Sequence, residues 1–314
     1  MATITAPADS PAPAPAPVPA RRSERAERWS RRAPLMPALI FAIIVTQLPF
    51  LLTLWYSLQS WNLVRPGSEK FVGLQNYVDV FADSTFRSAA LHTIVITGGC
   101  VVISLLLGLG LAVLLDRKFR GRGIVRTLLI TPFLVMPVAS ALLWKYMMLD
   151  PVYGILNFVL GPFGAGETDW VTRFPLASVI LTLVWQWTPF MMLLLLAGLQ
   201  AQPKDVLEAA AVDGANRWRT FVHVTLPHMR RYIELSTLLG AIYVVNTFDQ
   251  IYMLTQGGPG TASTNLPFYI YQRAVLGFDV GQAAAMGVVV VVGTIIVATV
   301  ALRMIFKSFD LEES

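Results

Sequence analysis

Six stretches of this 314-residue chain are mostly apolar and long enough to cross a lipid bilayer as helices, which takes about 20 residues each. They fall at 35–58, 91–115, 125–148, 175–199, 233–254 and 282–306. Apolar residues make up 55% of the chain and charged ones 14%, against about 25% charged in a typical soluble domain. Mean hydropathy is +0.60. A chain of this kind cannot cover itself with polar surface in water, so the expected fold class is all-α, a polytopic membrane protein. The third stretch is the least regular, because Pro132, Pro137 and Lys145 fall in it. Prolines are tolerated inside a membrane helix where neighbours re-satisfy the freed carbonyls.

The positions of the charges decide orientation. With the N-terminus inside, 18 of the 24 Lys and Arg lie on inner segments. These are the six Arg between Arg21 and Arg32, the run from Arg117 to Arg126, then Lys204, Arg217, Arg219, Arg230, Arg231, Arg303 and Lys307. The outer segments keep Arg65, Lys70, Arg87, Lys145, Arg173 and Arg273. By the positive-inside rule both termini are expected in the cytoplasm, and the protein in the cell membrane as a multi-pass chain. Residues 1–34 are expected to be a disordered tail. Their Pro/Ala-rich part, 11–19, has too little apolar surface to repay ordering, and the Arg cluster behind it suits anionic lipid better than nucleic acid. No nucleic-acid partner is expected. A cleavable signal peptide is disfavoured, since the apolar segment that follows is long enough to span. Residues 307–314 form a short cytoplasmic tail.

Catalysis by this chain finds no support. There is no glycine-rich phosphate loop ending in Lys-Ser or Lys-Thr, no HExxH and no GxSxG elbow. His92, His223 and His228 are scattered, and the single Cys100 lies in an apolar run, so no metal site is expected.

The longest polar interruption in the second half is Glu208 to Pro227, EAAAVDGANRWRTFVHVTLP. The helix formers Val206 to Ala211 end at Asp213-Gly214, where glycine can take the left-handed conformation that closes a helix. Asn216 is a good cap for a second short helix carrying Trp218, Phe221 and Val222 on one side. Pro227 removes a backbone donor, so that helix is expected to stop at or before Leu226. The stretch therefore predicts helix, tight turn, helix, outside the membrane and in need of something to pack on. An ordinary amphipathic hairpin between membrane helices is the plain alternative.

Glu208-Ala209-Ala210, three intervening residues, Gly214, nine more, Val224, one more and Leu226-Pro227 together resemble the EAA loop of ABC importer permeases. That family usually has Ile where this chain has Val224. Phe71-Val72-Gly73-Leu74-Gln75-Asn76-Tyr77 resembles the FVGLxNY signature of its carbohydrate group, and Thr255-Gln256-Gly257-Gly258-Pro259-Gly260 resembles the TxGGP turn. This is the group of the maltose and glycerol-phosphate permeases of the MalF and UgpA type. The resemblance covers about residues 35 to 306. It implies six transmembrane helices of the type I importer kind, with a coupling loop at 200–232 docking into a separate ATPase. Glu208 would hydrogen-bond or pair with that subunit, and Ala210 and Gly214 would permit close approach. Trp218 and Phe221 would anchor the elbow, with Ala209, Asp213, Leu226 and Pro227 completing the motif. It also implies a non-catalytic permease that binds no cofactor itself, ATP and Mg being held by two ATP-binding subunits. A second permease subunit, an extracytoplasmic solute-binding protein and membrane lipids complete the partners. The second permease of this group usually ends in a tail this chain lacks, so a MalF-like half of a heterodimer is expected.

Depth suggests where a solute passes. Trp187 is near the middle of the fourth stretch and Tyr243 near the middle of the fifth. Gly240, Tyr243, Thr247 and Gln250 follow the three-four spacing of one helix face, with Asn246 and Asp249 beside it. Around Pro189, the fourth stretch offers Gln186, Trp187, Thr188 and Phe190. Polar groups in hydrocarbon are expensive unless paired, so these should face the bundle interior or a wet cavity. Rings beside amides and hydroxyls suit a sugar or polyol, and in the family resembled the carbohydrate sits on these two segments. Alternatively the rings simply pack helices, and Asp249 serves a gate or partner contact. The rival class, an ion-coupled transporter or channel, normally has carboxylates at mid-depth, which these stretches lack.

Overall fold

The computed structural model describes residues 35–310, apart from 66, 68 and 165 and the side chains of 297, 298 and 300–310. The expected tail 1–34 and residues 311–314 lie outside the described residues. Leu52 ends a first compact unit and Thr53 begins a second. The described part of the first is most of α1 (Met36–Ser57), an apolar helix of 22 residues.

The second unit is almost wholly helical. After a two-residue antiparallel pair, β1 (Gln59–Ser60) and β2 (Lys70–Phe71), come α2 (Gln75–Ala82) and the long α3 (Ser84–Asp116). Next are α4 (Arg122–Leu134), α5 (Pro137–Leu143) with a wide π turn over 144–148, α6 (Ile155–Leu160) and α7 (Trp170–Arg173). Then follow α8 (Pro175–Gln200), α9 (Lys204–Val212), α10 (Arg217–Thr220), α11 (Leu226–Val245), α12 (Leu266–Tyr271) and α13 (Val280–Asp310). Among the described residues α1, α3 and α8 are long and apolar enough to cross a membrane; the pair α4 and α5 adds a fourth if counted as one bent span. α11 falls outside that set because Arg230, Arg231 and Glu234 occupy its first turns.

Three expectations need correction. The third stretch, 125–148, is not one helix but two, bent by 99°. Pro137 disfavours helical backbone at the residue before it, and Val135 and Met136 are extended (ψ 132° and 138°). The fifth helix does not run over 233–254: it begins at Leu226, ends at Val245, and helical winding resumes only at Asp249. Nor does Pro227 stop the second helix of the hairpin. A five-residue π turn, Phe221–Thr225, precedes it, in which the Leu226 amide donates to the Phe221 carbonyl. Pro227 then occupies the first turn of α11, where no donor is required of it. The helical winding is thus unbroken from Arg217 to Val245.

α8 is the spine of the core. Met192, Leu195 and Leu196 pack with Ala112 and Leu115 of α3 and Met229 of α11. Nearer the N-terminus of α8, Val179, Leu183 and Val184 pack with Ile96, Cys100, Trp144 and Val244. Lipid tails are as apolar as these side chains, so the helices are held by close packing and interhelical hydrogen bonds rather than by escape from water.

The two loop signatures are braces. Asn76 donates from Nδ2 to the carbonyls of Ser57 and Gln59, both at 2.8 Å, and the Tyr77 hydroxyl lies 2.6 Å from Ser57 Oγ. In the other loop the Gly257 amide and the Ser263 hydroxyl both donate to Thr255 Oγ1. The Asn265 side chain donates to the Thr247 carbonyl at 2.5 Å while accepting from the Phe268 amide. The Leu266 amide donates to Thr93 Oγ1 of α3. The stretch Thr264 to Tyr269 is therefore mostly interior: Thr264, Asn265, Phe268 and Tyr269 are all buried. Just beyond, Tyr269 donates to the Asp83 carboxylate and Arg273 pairs with it at 3.0 Å, fastening the turn after α12 to the start of α3. Burial pushes the Asp83 carboxyl up. The Tyr269 hydroxyl, the Thr85 amide and the Arg273 guanidinium together outweigh it and hold the group below the usual aspartate range.

Candidate functional site

Two places hold the candidate residues. The first is the hairpin α9–α10. α9 ends in a Schellman motif: the Ala215 amide donates to the Ala210 carbonyl and the Gly214 amide to the Ala211 carbonyl. This needs a left-handed residue after the Asp213 cap, and Gly214 supplies it with φ +76°. Asn216 then accepts from the Arg219 amide at 2.8 Å and starts α10. Local hydrogen bonds thus complete both helix ends. The outward surface is left uncovered: Glu208, Ala209, Asp213 and Gly214 are exposed, Ala210 is half-buried and Trp218 is 72% exposed. Trp218 stacks on Phe221 with ring centroids 6.2 Å apart. Leu226 is half-buried and Pro227 exposed. Arg217 and Arg219 add positive charge beside the rings.

The second place is where α4 and α5 part, beside α8 and the end of α11. Trp187 stacks on Tyr243 (5.3 Å, 22°), and Phe190 meets both edge-on. Phe133 completes the cluster at 5.5 Å from Phe190 and 5.7 Å from Trp187. Tyr243 is 54% exposed, so the cluster has an open face. Behind it runs a buried amide relay. Gln250 donates to Gln186 Oε1 at 2.8 Å, and Gln186 donates to the Val135 carbonyl at 3.0 Å. That carbonyl lies at the α4–α5 break, so Gln186 satisfies an acceptor that the proline pair freed.

The proposed face Gly240, Tyr243, Thr247, Gln250 is not one helix face, since the winding breaks at Asn246. Gly240 is buried against α8; a Cβ there would come within 2.0 Å of Met191 Cε, so this glycine serves helix packing. Asn246 ends α11 and bonds back to the Ile242 carbonyl. Thr247 is buried, with its carbonyl taken by Asn265. Thr188 bonds within its own helix to Val184. Asp249 is half-buried at the restart of the helix. Sequence reasoning missed Phe133; its signal was its place next to Pro132 in a segment already flagged as irregular.

A family model for the binding-protein-dependent transport system inner membrane component matches residues 101–309. The chain is 34% identical over 257 residues to the trehalose/maltose transport system permease protein MalF of Thermococcus litoralis, spanning 81% of this chain and 86% of that protein. It is 36% identical over 268 residues to the trehalose transport system permease protein SugA of Mycobacterium tuberculosis, spanning 85% and 86%. In fold it is similar to a chain of a bacterial ABC transporter involved in the import of the acidic polysaccharide alginate. That match has a TM-score of 0.77 at 22% identity and covers 90% of this chain and 96% of that one.

Proposed function

This chain belongs to the family of binding-protein-dependent transport system inner membrane components, and on that premise we propose that it is one permease half of an ATP-driven carbohydrate importer. The chain is membrane-embedded and, as a permease, non-catalytic. Its cargo on this reading is a sugar, disaccharide or polyol, the trehalose and maltose named for its relatives being the first to try. A second permease subunit, two ATP-binding subunits holding ATP and Mg, and an extracytoplasmic solute-binding protein complete the assembly. Six crossings with both termini in the cytoplasm put the hairpin on the side where ATP is.

The observation that carries the reading is the hairpin itself. It completes its own helix ends, yet leaves a tryptophan and adjoining small residues uncovered, as a helix seated in a partner's groove requires. Glu208 supplies a charge for that partner, and Ala210 and Gly214 a low surface. At the other place, Trp187 and Tyr243 lie ring on ring. Parted, they would present two aromatic faces to the C–H surface of a sugar, and Gln186 and Gln250 would offer amides to its hydroxyls. Stacked, they would close such a path.

The test is uptake of labelled trehalose and maltose by the assembled complex in liposomes loaded with Mg-ATP. Uptake should require ATP, persist with ionophores that collapse proton and sodium gradients, and fall at least about tenfold in Trp218→Ala, the cost of losing an interface hot spot. Uptake that follows an ion gradient and ignores ATP would transfer the protein to the ion-coupled class.

A further inference from the structure

We propose that the segment between α5 and α8 lies in the lipid interface and that the groove beneath it holds the acyl chain of an anionic phospholipid, with Arg173 at the headgroup. From Pro151 to Gly166 the chain has no charged residue. Tyr153, Phe158 and Phe163 are each more than four-fifths exposed, a surface that water would not tolerate and a membrane interface favours. Under it, a cavity of about 290 Å³ is lined by Leu149, Leu156, Trp170, Phe174, Ala177 and Leu181, and by Ser178, whose hydroxyl donates to the Trp170 carbonyl. Phe174, just ahead of α8, and Leu181 within it are themselves about two-fifths exposed, so the cavity opens along a helix long enough to span the bilayer.

One cation near the groove, Arg173, favours a phospholipid headgroup over a neutral apolar occupant. Asp150 accepts from the amides of Val152 and Tyr153, and Asp169 from the amide of Thr172, so both carboxylates are engaged by backbone. Glu167 is exposed on the turn between them. Arg173 lies over the Phe174 ring at 5.3 Å and has no carboxylate partner among the described residues. It is thus an exposed cation seated on a ring that lines the groove, with its charge available to a phosphate. Asn157 and Trp170 fix the floor: Trp170 Nε1 donates to Asn157 Oδ1, and Asn157 donates to the carbonyls of Asp150, Pro151 and Thr168. The reading does not depend on which solute is carried.

A photoreactive benzoyl-phenylalanine at position 181, in the assembled complex reconstituted into phosphatidylcholine vesicles with or without phosphatidylglycerol, distinguishes the occupants. The expected result is an adduct of lipid mass, about fivefold richer in phosphatidylglycerol than its share of the bilayer, the worth of one basic residue near anionic headgroups. Arg173→Gln should abolish that enrichment while leaving the adduct, and Ala177→Trp should remove the adduct by filling the groove. Should Ala177→Trp fail to fold, the exposed Arg173→Gln still decides the headgroup claim. Cross-linking to another polypeptide, or a lipid adduct with no headgroup preference in the unsubstituted protein, overturns the proposal.

Discussion

The hairpin α9–α10 and the loop from Thr255 to Phe268 are both glycine-bearing polar interruptions between apolar helices, yet they are built on opposite plans. Around Gly214 there is open space: an added Cβ meets nothing within 4 Å. Around Gly257 the same atom would lie 2.5 Å from Thr264 Oγ1 and 2.7 Å from the Phe268 ring. Both glycines have positive φ, so both answer a backbone demand, but only Gly257 answers a packing demand as well. The hairpin is completed by bonds within itself; the loop is completed by bonds to α3, to Thr247 and to itself. One leaves its outer surface exposed, and the other is fixed into its own chain.

That contrast can be broken by experiment. Gly257→Val carries the largest expected cost, about 3 kcal/mol of folding stability, because overpacking adds to the strain of a branched residue at positive φ. Thermal unfolding of the purified complex in detergent should show it, and no loss relative to the unsubstituted protein would refute the packing argument. Gly214→Val should cost only about 1–2 kcal/mol, spent on the hairpin locally, so the global midpoint should hardly move. Uptake should nevertheless be lost, and normal transport in that variant would contradict the coupling role. The smallest effect belongs to Asp83, which pins the α12 turn to α3. Its carboxyl is held below the usual aspartate range, so its contribution is fully present above about pH 4 and is lost as pH falls through the lower folded value. The stability advantage of the unsubstituted protein over Asp83→Asn should be constant from neutral pH down to about 5 and shrink below about 4. An advantage that grows on acidification would reverse the sign.

Much of this architecture was legible because it is encoded locally. Apolar length announces α1, α3 and α8, and Asp213-Gly214 with Asn216 spells out the Schellman motif and the cap that follows it. What escaped depends on residues far apart in the chain. Nothing near Gln186 says that its amide bonds a carbonyl 51 residues earlier. Gly240 reads as part of a polar face until Met191 is seen against it. Pro227 was misjudged for a subtler reason: a proline stops a helix only when its amide is needed, and the π turn before it removes the need. Phe133 lay hidden beside a proline whose bend could not be oriented from sequence.

The unbroken winding from Arg217 to Val245 has a mechanical meaning. At 1.5 Å per residue it is a lever of about 43 Å, with the uncovered tryptophan at one end and the tyrosine of the aromatic stack near the other. A tilt of about ten degrees at such a length displaces the far end by roughly 7 Å, more than the spacing between stacked rings. On the coupling role proposed above, a small rotation imposed on the hairpin would be enough to unstack Trp187 from Tyr243.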